Sequence, residues 1–501
     1  MLRLPKIFAS GMVVQRQKPV LIWGNAAPGE LVTVCMRHHK VSVAADEDGF
    51  WRVELPAMEA SPSETLVISA GTERIELTDV AVGEVWIAGG QSNMEFWMRY
   101  EKHRELERGD YPELRFFDVP KIAYTGQDRD FDYSQMAVWR KAAGEDRGFF
   151  SAVGYYFQKE ISRELDVPVG IIGCSWGGTA SCAWMSAKSV AAAAPVWIDA
   201  AKEAFRGIDM DDYWKKQARN PENAAGDLYH NDFSRFILPR TPGPEEIHAF
   251  LAEHPPADPD LAALPQPQSI PGSLYEHMVK TIAPFPVRGV LWYQGESDDS
   301  GGRGRHYTDM LTALVRDWRE LWRDELPFLI VQLPGWESWF GYVNEGFHVI
   351  RQCQQEAADA DANIHLCSIS DAGERLDIHP KDKKVVGERL ALLALGHVYG
   401  RDILCDPPGL KSVSRNGERI VLTFANTGTG LHIEGESIAA LDISGSGGPV
   451  AYSASIDRNC IIVALPEHTG EVAINFARTP WYLVNLYNSA GLPAIPFSIT
   501  C

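Results

Sequence analysis

The sequence predicts an α/β layer fold with a central parallel sheet in the middle of the chain, bracketed by β-rich regions. Two observations lead there. From Gly83 onward, short apolar runs rich in β-branched and aromatic residues alternate with amphipathic stretches, and Gly or Pro bounds each run. Before that point and after Gly400, strand-like patterns with frequent turn residues replace the alternation. At 501 residues the chain exceeds the usual size of one compact core, and the pattern divides it into 1–82, 83–400 and 401–501.

In the first region, Val41–Ala45 and Phe50–Leu55 flank Asp48-Gly49, which predicts a hairpin. In the middle region, Glu84–Ala88, Val169–Cys174, Gly289–Tyr293, Phe328–Gln332 and Ile364–Ser368 read as buried parallel strands. Helices fall between them. Ser151–Leu165 carries Val153, Tyr156, Phe157, Ile161 and Leu165 on one face, and Tyr307–Trp322 does the same with Tyr307, Leu311, Leu314, Trp318 and Leu321. Residues 240–272 are rich in Pro and Ala; with the polar stretch before them they predict an insertion over about 203–272. In the last region, Ser412–Arg415 and Arg419–Phe424 bracket Asn416-Gly417, a second hairpin signal.

Composition narrows the function. Hydrophobic residues make up 45% and charged residues 23%, as in ordinary globular proteins. Lys plus Arg is 47 against 67 for Asp plus Glu, a net charge of −20. That balance argues against nucleic acid and anionic membranes as partners, since both need dense cationic surface. One local Arg can still serve an anionic substrate, because screening limits the global field. No apolar run is long enough to span a bilayer, and the opening residues lack a signal-peptide pattern, so a cytoplasmic location is the simplest expectation unless a leader was removed. The eight cysteines are scattered with no Cys-x-x-Cys pair. They read as reduced apolar residues, and neither a metal nor an organic cofactor is expected.

Four loops carry the chemistry, each directly after a predicted strand or close beyond one. In Gly89-Gly90-Gln91-Ser92-Asn93-Met94 the serine sits where an open parallel sheet binds ligands, although a helix cap is the ordinary role for such a residue. Cys174-Ser175-Trp176-Gly177-Gly178-Thr179 offers a backbone N–H unobstructed by a side chain, or simply a tight turn. Gln294-Gly295-Glu296-Ser297-Asp298 offers an amide donor and carboxylates. Asp377-Ile378-His379-Pro380 offers a base beside a carboxylate. Each alone is commonplace; together at one sheet edge they fit nucleophilic acyl transfer.

At these loops the sequence resembles the SGNH-hydrolase superfamily, and more closely the sialate O-acetylesterase family. The matching stretches include Met12–Arg16, Val82–Phe96, Ser175–Thr179 with Ala183-Trp184, Leu274–Asp298, Asp317-Trp318-Arg319, Pro327–Pro334, and Asp377–Pro380. They cover most of the first 400 residues, while the last hundred match loosely. The resemblance implies an SGNH-hydrolase (flavodoxin-like) three-layer domain in which Ser92 is the nucleophile and His379 its base, with Asp377 as orienting carboxylate. It implies an oxyanion hole from the N–H groups of Ser92 and Gly178 and the Gln294 amide. Gln91, Asn93, Glu296, Arg351 and Gln354 are expected to contact substrate, with Arg351 pairing a substrate carboxylate such as sialic acid offers.

Two departures stand out. The superfamily spaces Asp and His as Asp-x-x-His, whereas position 376 is Leu and Asp377 lies two residues before His379. A Ser–His dyad, Asp371 or a backbone carbonyl are the alternatives for orienting the base. The family generally carries Glu where this chain has Cys182. The expected substrate is an O-acetylated carbohydrate, foremost O-acetylated sialic acid, with acetyl-xylan or another plant polysaccharide as the first alternative. An inactive carbohydrate-binding protein is the second.

Overall fold

The computed structural model describes residues 1–127, 136–220, 232–256, 258–466 and 470–501. Its centre is a sheet whose strands run, from one edge to the other, Ile364–Cys367, Phe328–Val331, Gly289–Tyr293, Glu73–Gly90, Val169–Ser175, Tyr111–Asp118 and Trp139–Ala142. All neighbours are parallel except the last pair. Set aside Tyr111–Asp118 and the antiparallel Trp139–Ala142 at one edge, and the remaining five follow the doubly wound order 2-1-3-4-5. The order reverses between Glu73–Gly90 and Gly289–Tyr293, and such a switch point opens a crevice beyond the strand ends.

Both faces of the sheet are covered, so these strands read as continuous apolar runs rather than alternating ones. On one face Trp86 meets Phe157 of the helix Ala152–Leu165, which packs on Lys384–Leu393. On the other, Gly89 lies under Trp292 and Trp318, the latter from the helix Tyr307–Trp322. The helix Ala152–Leu165 begins where Ser151 Oγ accepts from the Gly154 N–H, and it ends at Asp166 in the left-handed region.

The N-terminal region is joined to this domain without a linker. The single strand Glu73–Gly90 pairs antiparallel with Ser61–Ala70 in its first half and parallel with the central strands in its second. One apolar core accordingly runs from Leu2 through the central sheet. The expected hairpin around Asp48-Gly49 is a correction. The turn exists, with the Gly49 N–H bonded to Asp46 O at 3.0 Å. The strands it connects pair elsewhere, His39–Ala44 with Leu31–Met36 and Phe50–Leu55 with Val20–Asn25. Trp51, Val53 and Leu55 thereby bury on the core.

The C-terminal region is different. Two antiparallel four-stranded sheets enclose their own core, in which Ile420, Leu422 and Ile461 face inward with Ile443, Ile474 and Phe476. The second hairpin is present: Gly409–Asn416 pairs with Arg419–Ala425, and Gly417 and Glu418 make the turn. The eight cysteines form no disulfide. Among the described residues no helix is long and apolar enough to cross a membrane.

Candidate active site

The strand Glu73–Gly90 ends at Gly90 with φ +136, where a Cβ would lie 2.1 Å from Tyr293 O. Only glycine allows that turn. The chain then enters the short helix Ser92–Glu95. Ser92 thus stands at the switch point, and its Oγ is 2.9 Å from His379 Nε2. Trp339 stands edge-on to the imidazole with ring centres 5.1 Å apart. Burial holds the His379 pKa below its ordinary value, with the Asp377 carboxylate opposing. A neutral imidazole next to a serine hydroxyl is the arrangement a general base requires.

Asp377 is beside the base but does not hold it in the usual way. Its Oδ1 accepts the backbone N–H of His379 at 2.8 Å and lies 3.5 Å from Nδ1. Its Oδ2 pairs with Lys381 Nζ at 2.7 Å and accepts from Thr241 Oγ1 at 3.2 Å. Asp371 is engaged elsewhere, accepting two bonds from the Arg389 guanidinium at 2.7 and 2.8 Å.

Ser92 and Gly178 both border the cleft, and their N–H groups have no acceptor among the described residues. Gly178 has φ +74 and open space where a side chain would be. The turn that carries it is fixed from below. The Trp176 N–H donates to Gly90 O at 3.1 Å, and the Gly177 N–H donates to Glu95 Oε2 at 2.8 Å. Glu95 is itself ion-paired with Lys121. Sequence reasoning did not single out Glu95; its role depends on a contact between residues 82 positions apart.

Several expected site residues turn inward instead. Gln294 is buried with no exposure, and its amide nitrogen donates to Gln91 Oε1, Thr179 O and Asp298 Oδ2 at 3.2, 3.1 and 2.6 Å. Those acceptors occupy its hydrogens, so the expected oxyanion role is corrected to one of support. Gln354 donates to Val331 O and Gln294 O and accepts from the Leu333 N–H, again away from the cleft. Arg351 is likewise corrected. Its guanidinium donates to Pro334 O and Thr479 O at 3.3 Å each and lies over the Tyr482 ring, joining the helix Phe347–Ala360 to the C-terminal region. Cys182 is buried and does not border the cleft.

Asn93 is the hub of this inner layer. Its Nδ2 donates to Glu296 Oε1 at 2.6 Å and Ile378 O at 3.0 Å, and its Oδ1 accepts from Lys383 Nζ at 2.5 Å. One amide therefore ties the loop of the nucleophile to the loops of Glu296 and His379. Lys383, which sequence reasoning also missed, is pulled down to about 7 by burial, with Lys381 adding to the effect. Glu296 is raised by burial; its Oε2 has no partner among the described residues, and the residue borders the cleft. Gln91 borders the cleft too, its Oε1 held by Gln294 and by the Ser297 N–H at 3.2 Å.

The cleft has a volume of about 990 Å³. Trp97, Trp176, Trp336, Trp339 and Phe347 line it, and the stretch between the strands Val169–Ser175 and Gly289–Tyr293 contributes Phe233, Ile237 and Leu238. Its charged lining is acidic: Glu95, Glu296, Asp299 and Glu345, against Lys121 already paired with Glu95.

Comparison with known proteins points to an esterase. A family model described as a carbohydrate esterase, sialic acid-specific acetylesterase, matches residues 263–395. The sialate O-acetylesterase of Rattus norvegicus is 25% identical over 454 residues, covering 82% of this chain and 77% of that protein. The one from Mus musculus is 24% identical over 547 residues, covering 97% and 92%. A carbohydrate acetylesterase from Xanthomonas citri has a similar structure, with 28% identity and a TM-score of 0.78 over 100% of this chain and 99% of that one. The chain is a carboxylic ester hydrolase, similar in sequence and structure to carbohydrate esterases. Its resemblance to the sialate O-acetylesterase family, first read from the loops around Ser92 and Gln294, holds across most of its length.

Proposed function

We propose that this protein is an SGNH-type serine esterase that removes O-acetyl groups from saccharides through an acetyl-Ser92 intermediate. The observation that carries the reading is the 2.9 Å contact of Ser92 Oγ with His379 Nε2, beside two N–H groups free of other acceptors. Ser92 Oγ attacks the acetyl carbonyl as His379 Nε2 takes its proton. The negative charge that develops on the carbonyl oxygen is met by the N–H groups of Ser92 and Gly178, each worth a few kcal/mol (about 2.7–4) of barrier in such sites. The C–O bond to the sugar then breaks, and the sugar oxygen leaves with the proton from His379. Water, deprotonated by the same nitrogen, attacks the acetyl group and releases acetate and free Ser92. An assembled Ser–His pair argues against the inactive binding protein.

For the substrate, the charge of the cleft favours an uncharged acetylated oligosaccharide over a sialic acid. A sialate carboxylate would meet Asp299 and Glu345 with no unpaired cation among the described lining residues. The tryptophans suit stacking on sugar faces. The sialate reading is supported by the family model and the named relatives. Acetate release from acetylated xylo-oligosaccharides and from 9-O-acetylated sialic acid, measured side by side with Ser92→Ala as control, separates the two. Higher kcat/KM on the neutral substrate is expected. Preference for the sialic acid would overturn the charge argument and leave the mechanism standing.

A further inference from the structure

We propose that Glu101, His103 and Asp382 form a binding site for a divalent cation of the zinc class, behind the loop that carries His379. One ligand atom from each residue lies within 4.8 Å of the others. His103 Nε2 is 3.0 Å from Asp382 Oδ2. An imidazole nitrogen with two carboxylate oxygens is a zinc-compatible donor set that leaves a coordination position for water.

The observation that sets this cluster apart is an orphaned oxygen. Glu101 is completely buried. Its Oε2 is held by the His103 backbone N–H at 2.5 Å and by the Tyr156 hydroxyl at 3.0 Å, whereas Oε1 has no partner among the described residues. A buried carboxylate oxygen left bare calls for a bound partner. Bonds that hold one oxygen and leave the other free are what the outer shell of a metal site supplies. Lys102 Nζ is 3.5 Å from Asp382 Oδ2 with its side chain 60% exposed, so it can swing out. A second cluster, His397 with Cys405 and Asp406, meets the same distance criterion. There His397 Nε2 is paired with Asp406 Oδ1 at 2.8 Å and no polar atom is orphaned, so the argument does not extend to it.

The site joins two stretches that are far apart in sequence and adjacent at the catalytic loop. The Lys102 N–H donates to Lys381 O at 3.1 Å, and Asp382 precedes Lys383, whose Nζ reaches Asn93. A cation bridging 101–103 to 382 would fasten the far side of the loop that holds the base.

The test uses the full chain, stripped with chelator, titrated with ZnCl2 by calorimetry and melted with and without Zn²⁺. One equivalent is expected to bind and to raise the Tm. Glu101→Gln and His103→Ala are expected to weaken binding at least about 10-fold, and His397→Ala to leave it unchanged. No binding, binding unchanged in Glu101→Gln and His103→Ala, or binding lost in His397→Ala would overturn the proposal. If Glu101→Gln fails to fold, His103→Ala and Asp382→Asn decide, because both residues are partly exposed.

Discussion

The cleft face and the layer directly beneath it are built from the same four loops, yet they do different work. On the face, Ser92, His379 and Gly178 present reactive or donor atoms to open space. One residue further along the same loops, or one turn below, Asn93, Gln294 and Asp298 spend their polar atoms on one another and on neighbouring loops. The Asp298 carboxylate bonds the Ser181 N–H and hydroxyl as well as Gln294, closing the layer under the oxyanion turn. The lesson is that chemistry at a sheet edge needs a second layer of interbonded polar groups to fix loops that share no secondary structure. A buried amide or carboxylate with its partners in place holds geometry; the same group bare would cost stability.

The largest effect on activity is expected on the face. Ser92→Ala should lower acetate release by at least about 10⁴-fold with an unchanged melting curve, since the nucleophile is irreplaceable and its hydroxyl supports nothing else. Substituting the inner hub should act differently. Asn93→Ala leaves the Glu296 carboxyl and the Lys383 amine short of partners, and should destabilise the fold by about 2–4 kcal/mol in denaturant titration. Loss of activity in Asn93→Ala with full stability would contradict the division into face and support.

Asp377→Asn should be milder than His379→Ala. The carboxylate lies 3.5 Å from Nδ1 and its other contacts are to backbone, Lys381 and Thr241. A loss of about 10- to 100-fold is expected, against about 10⁴-fold where a carboxylate grips the imidazole directly. An equal loss in the two variants would restore a full triad.

The pH profile sharpens the same point. The base works only when neutral, and its folded pKa lies below the ordinary 6.5. Activity should therefore be complete above that value and fall only as pH drops through the lowered pKa. An acid limb of kcat/KM centred at or above 6.5 would mean that Asp377 outweighs burial. The smallest effect on catalysis belongs to Arg351→Ala, which should leave KM for either substrate unchanged while costing about 1–3 kcal/mol of stability at the joint with the C-terminal region.

The residues of the face could be named from the sequence, because the four loops together resemble a known family: glycines before Ser92, a Gly-Gly turn, and a histidine before proline beyond the strand Ile364–Cys367. The layer beneath was legible only as residue types. Gln294 was read as a donor into the cleft because an amide after a strand can point either way, and the acceptors that turn it inward, Gln91 and Thr179, lie 203 and 115 residues away. Arg351 was read as a substrate partner because nothing local announces Thr479 and Tyr482, which come from the loosely matching C-terminal region. The Asp48-Gly49 hairpin failed for a related reason. Apolar alternation determines which side of a strand is buried, not which neighbour it pairs with.

The central claim is that the acetyl group passes through Ser92. The direct measurement is rapid-quench mass spectrometry of the enzyme mixed with excess aryl acetate, followed by mapping of the modified peptide. One added acetyl mass is expected on the peptide bearing Ser92, formed within the first turnover and absent from Ser92→Ala. An acetyl group mapped to any other residue, or first-turnover product formation that survives Ser92→Ala, would contradict it.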